Sequence, residues 1–135
     1  MIDLIQNKEL IAAFVGAVAT LFAVFLAASL SVKYLRVSEL KRLRIKCVVD
    51  LISYRFVISG NSTSDAKVVF FAALNAIPSL FGDDHTIMRH LRDFREHDSS
   101  KKNDSLLSLI KITAEKSGVS LLNVSDVDLL KPFSM

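Results

Sequence analysis

The sequence predicts an all-α fold: one N-terminal transmembrane helix that continues into a small cytosolic domain of about four helices. Three observations lead there. A stretch of 23 residues, Leu10 to Val32, carries no charge. Beyond it, apolar residues return at helical spacing between clusters of turn-forming and helix-capping residues. No apolar–polar alternation persists long enough for a strand, and no internal repeat is present.

At helical rise the uncharged run covers about 35 Å, enough to cross a hydrocarbon core of about 30 Å with some tilt. A soluble helix this long and uniformly apolar would need partners on every side. A cleaved signal peptide is the competing reading. It fits poorly, because Asp3, Lys8 and Glu9 precede the run in place of a basic leader, and the run exceeds the usual apolar region of about 7–15 residues. Lys33, Arg36, Lys41, Arg42, Arg44 and Lys46 follow the run, with Glu39 as the one acid among them. Basic flanks stay cytoplasmic, so the N-terminus is expected outside and the domain inside. Each well-placed cation near anionic headgroups contributes about 1 kcal/mol of anchoring.

The resulting division is an extracytoplasmic N-terminus (1–9), a transmembrane helix (10–32), a basic juxtamembrane helix (33–44) and a cytosolic helical domain (45–135). Roughly 100 residues outside the membrane support one core and leave little for a second domain. The span accounts for the mean hydropathy of +0.40, and the net charge is +3. Ala12, Gly16 and Thr20, like Ala19, Ala23 and Ala27, recur every four residues. Such spacing allows two helices to approach closely, although alanine is common in membrane helices whatever their packing. A single span encloses no pore, so any action on the bilayer requires several copies.

Residues 33–58 contain neither Gly nor Pro, and the first helix is expected to continue through them, with Leu40, Leu43, Val48, Leu51, Ile52 and Phe56 on its apolar side. Ser59 to Ser64 has a turn composition. The next helix is expected over 65–77, ended by Pro78, with Ser79 to Gly82 as a turn. Asp83 or Asp84 caps a third helix over 84–97, with Ile87, Leu91 and Phe94 buried. Residues 98–104 form a polar loop. A fourth helix starts at Asp104 or Ser105 and ends at Gly118, with Leu106, Leu109, Ile110 and Thr113 facing inward. A short helix from Ser125 to Leu130, stopped by Pro132, is expected in the tail.

Few residues carry chemistry. The lone Cys47 sits in an apolar run and forms no intramolecular disulfide; its plain reading is a small core residue. Arg55 falls on the stripe of Val48, Leu51 and Ile52, and Asn75 on that of Val68, Phe71 and Ala72. Buried polar groups need partners. Each of the two therefore either ties a helix to a neighbouring backbone or lines a polar cavity. Arg89, His90, Arg92 and Arg95 give the third helix a basic face, which is either a solvated surface or an anion site. His85, His90 and His97 are spaced by five and seven, unsuited to one metal on one helix face. The chain lacks a P-loop, GxSxG, a GxGxxG following a strand, and HExxH, so no enzyme, cofactor or metal is expected. The charge is too small and too dispersed for a duplex nucleic-acid binder. A small anionic nucleotide fits better, with Tyr54, Phe81 or Phe133 available for stacking.

Three stretches resemble a bacterial family of small uncharacterised membrane proteins with one N-terminal span and a helical domain. They are Leu51-Ile52-Ser53-Tyr54-Arg55, the run Phe71 to Phe81 with its Asn75-Ala76-Ile77, and Leu106 to Ile110 with Gly118 and Pro132-Phe133. The architecture is also similar to membrane-anchored effectors of type III CRISPR antiphage defence. That resemblance implies a tetrameric protein of the bacterial inner membrane that binds a cyclic oligonucleotide, cyclic tetra-adenylate first, and perturbs the bilayer. On it, Arg55, Arg89 and Arg92 would pair with phosphates, Asn61 and Asn75 would hydrogen-bond, and Tyr54 or Phe81 would stack. The alternative is a passive membrane anchor or scaffold whose domain binds a protein partner.

Overall fold

A computed structural model describes residues 2–60 and 62–130, and all regular structure in them is helical. In chain order the helices are α1 (Ile2–Ser53), α2 (Ser64–Phe81), α3 (His85–Glu96), α4 (Lys102–Ser117) and α5 (Asp126–Leu130), with a 3-10 turn at Arg55–Ser59. The chain divides into two compact units, Met1–Glu39 and Leu40–Met135.

The first unit is helix alone. Its apolar side chains, including Leu10, Phe14, Leu21, Phe22, Phe25 and Leu30, are exposed throughout. The stretch is long and apolar enough to cross a membrane. Thr20 and Ser29 donate to the carbonyls of Gly16 and Phe25, each at 2.8 Å, so both hydroxyls are satisfied within the helix. Such back-bonding is how hydroxyl residues are accommodated in an apolar helix.

In the second unit, Cys47, Val48 and Leu51 from the end of α1 join a core built with Phe70, Ile77 and Phe81 of α2, Ile87 and Leu91 of α3, and Leu106, Leu109 and Ile110 of α4. The expected buried faces of α3 and α4 are the observed ones, Thr113 included. Thr113 donates to the Leu109 and Ile110 carbonyls, which makes a polar residue tolerable in the core. Gly118 ends α4 with φ +76°: its N–H donates to Glu115 O (3.1 Å) while that of Val119 reaches Ala114 O (2.9 Å). This is a Schellman closure, and the left-handed residue it requires explains the glycine.

The structure corrects four expectations. Helix α1 stops at Ser53 rather than running through 58, because the Arg55 guanidinium takes the Ile52 carbonyl at 2.5 Å and the chain tightens into the 3-10 turn, which ends at Gly60 with φ +88°. Helix α2 does not end before Pro78 but continues through it to Phe81. The proline costs the Leu74 carbonyl its helical partner, yet its ring lies on the exposed side. Gly82 fits the crowded end of this helix: a Cβ there would lie 2.4 Å from the Pro78 carbonyl oxygen. Helix α4 begins at Lys102, two or three residues early, so the polar loop is shorter than expected.

The fourth correction concerns which face of α2 is buried. Val68, Phe71, Ala72 and Asn75 are the expected inner stripe, but Val68 is 66% exposed and Phe71 53%; Ala72 and Asn75 are exposed as well. The inner stripe is Ala66, Phe70, Ala73, Leu74, Ile77 and Phe81. The helix is apolar on nearly all sides, so its periodicity fits both stripes. The observed one buries two phenylalanines and no amide.

Asp84, not Asp83, caps α3, its Oδ1 accepting from Thr86 N (2.9 Å) and Ile87 N (3.2 Å). Its Oδ2 pairs with Lys116 at 3.2 Å. The Ile87 N–H bond, aided by Lys116 and Thr86, holds its carboxyl below the ordinary 3.8. Folding thus favours the charged form, so the contribution is complete above pH 3.8 and fades as pH falls through the lowered native value. Acid titration followed by circular dichroism should show Asp84→Asn with a flatter loss of stability than the parent below about pH 4. Independently, Gly82→Ala should destabilise the domain by about 1–3 kcal/mol in denaturant titration, because backbone must shift to admit the methyl group.

Candidate functional site

The residues singled out for ligand binding do not converge on one place. Tyr54 and Arg55 lie at the end of α1, Phe81 in the last turn of α2, Asn75 on the outer face of α2, and Arg89 and Arg92 on α3. Asn61 and Phe133, like Pro132, fall outside the described residues.

Arg55 has a structural use. Beside its bond to Ile52, it donates to the Asp128 carbonyl at 2.8 Å, joining the end of α1 to α5. Lys111 and Asp126 form an ion pair between α4 and α5, and Leu129 is buried. Ser125 caps the short helix by accepting from Asp128 N, and its own N–H and hydroxyl donate to Asp128 Oδ2, the hydroxyl bond chiefly holding that carboxyl below its ordinary range. A cleft of about 510 Å³ remains beside Arg55, between Phe56 and Leu121.

Phe81 is 1% exposed, with no face free for a stacked base. Arg44 covers it, with the guanidinium carbon 5.0 Å from the ring centroid, while Nε donates to Leu80 O at 2.8 Å and a terminal nitrogen lies 3.5 Å from Asp83. A cation on the last carbonyls of a helix satisfies groups the helix itself leaves open. Arg44 is therefore engaged within the domain, while Lys46 pairs with Asp50 at 2.6 Å on the exposed side of α1.

The basic face of α3 divides three ways. Arg89 and Arg92 point away from the buried stripe, and neither has an ion-pair partner among the described residues. Arg95 turns toward α2. His90 turns toward α4, beside a polar cleft of about 310 Å³ lined also by Asp93, His97, Lys101, Asp104 and Ser105. There His97 Nδ1 contacts Ser105 Oγ, a Ser–His pair that the sequence reading missed. The Ser105 hydroxyl also donates to Lys101 O at 3.0 Å, which ties it to the first turn of α4. Among the described residues no three of His, Cys, Asp and Glu are grouped to hold a metal.

Asn75 opens onto a cleft of about 450 Å³. Its walls are Val57, Ile58, Phe70, Phe71, Leu74, Leu91 and Phe94, with Arg95 and Lys102 as its charged members. Lys102 Nζ stands 5.5 Å over the Phe94 ring. Phe71 meets Phe70 edge to face. Phe71, Arg95 and Lys102 stand on three different helices. Only the α2–α3 and α3–α4 packing brings them together, and no local pattern encodes it.

Cys47 is buried, with Sγ 3.4 Å from Ala73 O. Burial, followed by the nearby Asp50, pushes its thiol up to about 11. It is a core residue and a poor nucleophile. No protein-family model, curated protein or solved structure matches the chain.

Arg55→Ala should release α5 and cost about 1.5–2 kcal/mol, the lower part of the range for bonds to a charged donor. Arg55→Lys should not restore it, since a single ammonium cannot span both carbonyls as the planar guanidinium does. Denaturant titration together with limited proteolysis near residue 125 would measure both effects.

Proposed function

We propose that this is a single-pass protein of the bacterial inner membrane, N-terminus outside, whose cytoplasmic domain acts by binding rather than by catalysis. The observation that carries the reading is the first unit: a helical stretch uncharged from Leu10 to Val32, with every apolar side chain exposed. Bilayer is the solvent in which such a surface is stable. The basic excess after Val32 supports the orientation.

In its finer form the proposal is a defence effector that binds a cyclic oligonucleotide, cyclic tetra-adenylate first, and disturbs the membrane as a tetramer. Its support is the resemblance in size and architecture, together with Arg89 and Arg92, two exposed cations on one helix, partly offset by Asp93 and Glu96 but forming no ion pair among the described residues. A cyclic tetranucleotide carries four phosphates. One chain offers too few converging cations for them, so this ligand requires several copies around it. Binding would act only by favouring one arrangement of copies over another.

A second reading, a scaffold that holds a protein partner, draws on the exposed apolar stripe of Val68 and Phe71 on α2. Exposed aromatic residues are common anchors of protein interfaces.

Calorimetry of the full chain in phosphatidylcholine nanodiscs, against a panel of cyclic oligonucleotides, separates the two. The effector reading expects binding that weakens on Arg89→Glu with Arg92→Glu, and ligand-dependent leakage from liposomes. Absence of heat from every member of the panel removes it and leaves the anchor.

A further inference from the structure

The cleft between α2 and α3 has an unequal lining. Seven of its residues are apolar, one is an amide, two are cations, and none is an acid. Its volume, about 450 Å³, lies within the range of small-molecule sites, roughly 300–1,000 Å³. Neither Arg95 nor Lys102 is engaged by an acid among the described residues. Lys102 is placed by the Phe94 ring beneath it, an arrangement that orders an ammonium without neutralising it. Phe71 forms a wall of the cleft while more than half exposed, an apolar cost that an occupant would relieve.

We infer that this cleft binds an anionic amphiphile: a small molecule with one carboxylate or phosphate head and an apolar body. The head meets Arg95 and Lys102, with the Asn75 amide able to donate beside them. The body lies against Phe71, Leu74 and Phe94. The two cations fit a single anionic head and exclude a cationic one. The apolar walls leave the remaining polar groups of a nucleotide unsatisfied, which would cost affinity. The site is distinct from the Arg89–Arg92 face and stands or falls separately from it. The head could belong to a free fatty carboxylate or to a membrane lipid; the chemistry at the cations is the same.

Octanoate is the probe, titrated into the full chain in phosphatidylcholine nanodiscs with methyl-labelled Ile, Leu and Val, and empty nanodiscs as the blank. Saturable shifts confined to Val57, Ile58, Leu74 and Leu91 are expected, with octylammonium and octanol much weaker. Lys102→Glu should weaken octanoate about tenfold, the loss expected for a charge-assisted contact turned repulsive, and Lys102→Arg should retain it. Replacing some phosphatidylcholine by phosphatidylglycerol distinguishes the sources. If a lipid head occupies the site, the same methyls shift without octanoate; if not, they stay and octanoate still binds. Equal binding of octylammonium, no effect of Lys102→Glu with the spectrum otherwise native, or an absence of saturable shifts in either lipid would overturn the inference. Any of these would leave the membrane anchor and the nucleotide reading untouched.

Discussion

The constraint on which everything else rests is the solvent that α1 demands. From Leu10 to Val32 the helix presents leucine, isoleucine, valine and phenylalanine on all sides and covers none of them. In water this surface would be costly. At the centre of a bilayer each such residue favours insertion by about 0.3–0.6 kcal/mol, and the helix already satisfies its own backbone. The helix α2 is also long and apolar enough to cross a membrane. Three of its large side chains, Phe70, Ile77 and Phe81, are nonetheless enclosed by the rest of the domain. Two apolar helices thus solve the same problem differently, one by packing and one, on the reading proposed, by lipid.

The domain is held by a core of ordinary aliphatic and aromatic residues and by polar groups that close helix ends. Arg44 takes a carbonyl in the last turn of α2, Asp84 the first amides of α3, Arg55 the end of α1, and Gly118 that of α4. Each is a charged or special residue that could be mistaken for a site. Among the cations left unengaged are Arg89 and Arg92 on one side, Arg95 and Lys102 on another. Where a ligand can bind is set by that subtraction as much as by any positive signal.

Much of this was legible in the sequence, and the failures are physical rather than arbitrary. The span of α3, the end of α4 at Gly118 and the buried faces of both follow from periodicity with clear caps, while the start of α4, which has no side-chain cap, does not. The continuation through Pro78 is not legible, because it depends on a glycine four residues later admitting the proline carbonyl. Both faces of α2 are apolar, so periodicity alone does not choose between them. Asn75 is the discriminating signal, since burying its amide without a partner counts against that stripe. The candidate site fares worst. Arg55 and Phe81 belong to the structure, while Arg95 and Lys102 are joined only by tertiary packing. Spacing along one helix carries no information on such a pair.

Extraction of membranes at alkaline pH, with the chain expressed intact in bacteria, tests the central claim most directly. The account predicts that the protein stays in the pellet after carbonate washing and moves to the supernatant when Val18 and Phe22 are both replaced by Lys. Recovery of the unaltered chain in the carbonate supernatant, folded and monomeric, would contradict it.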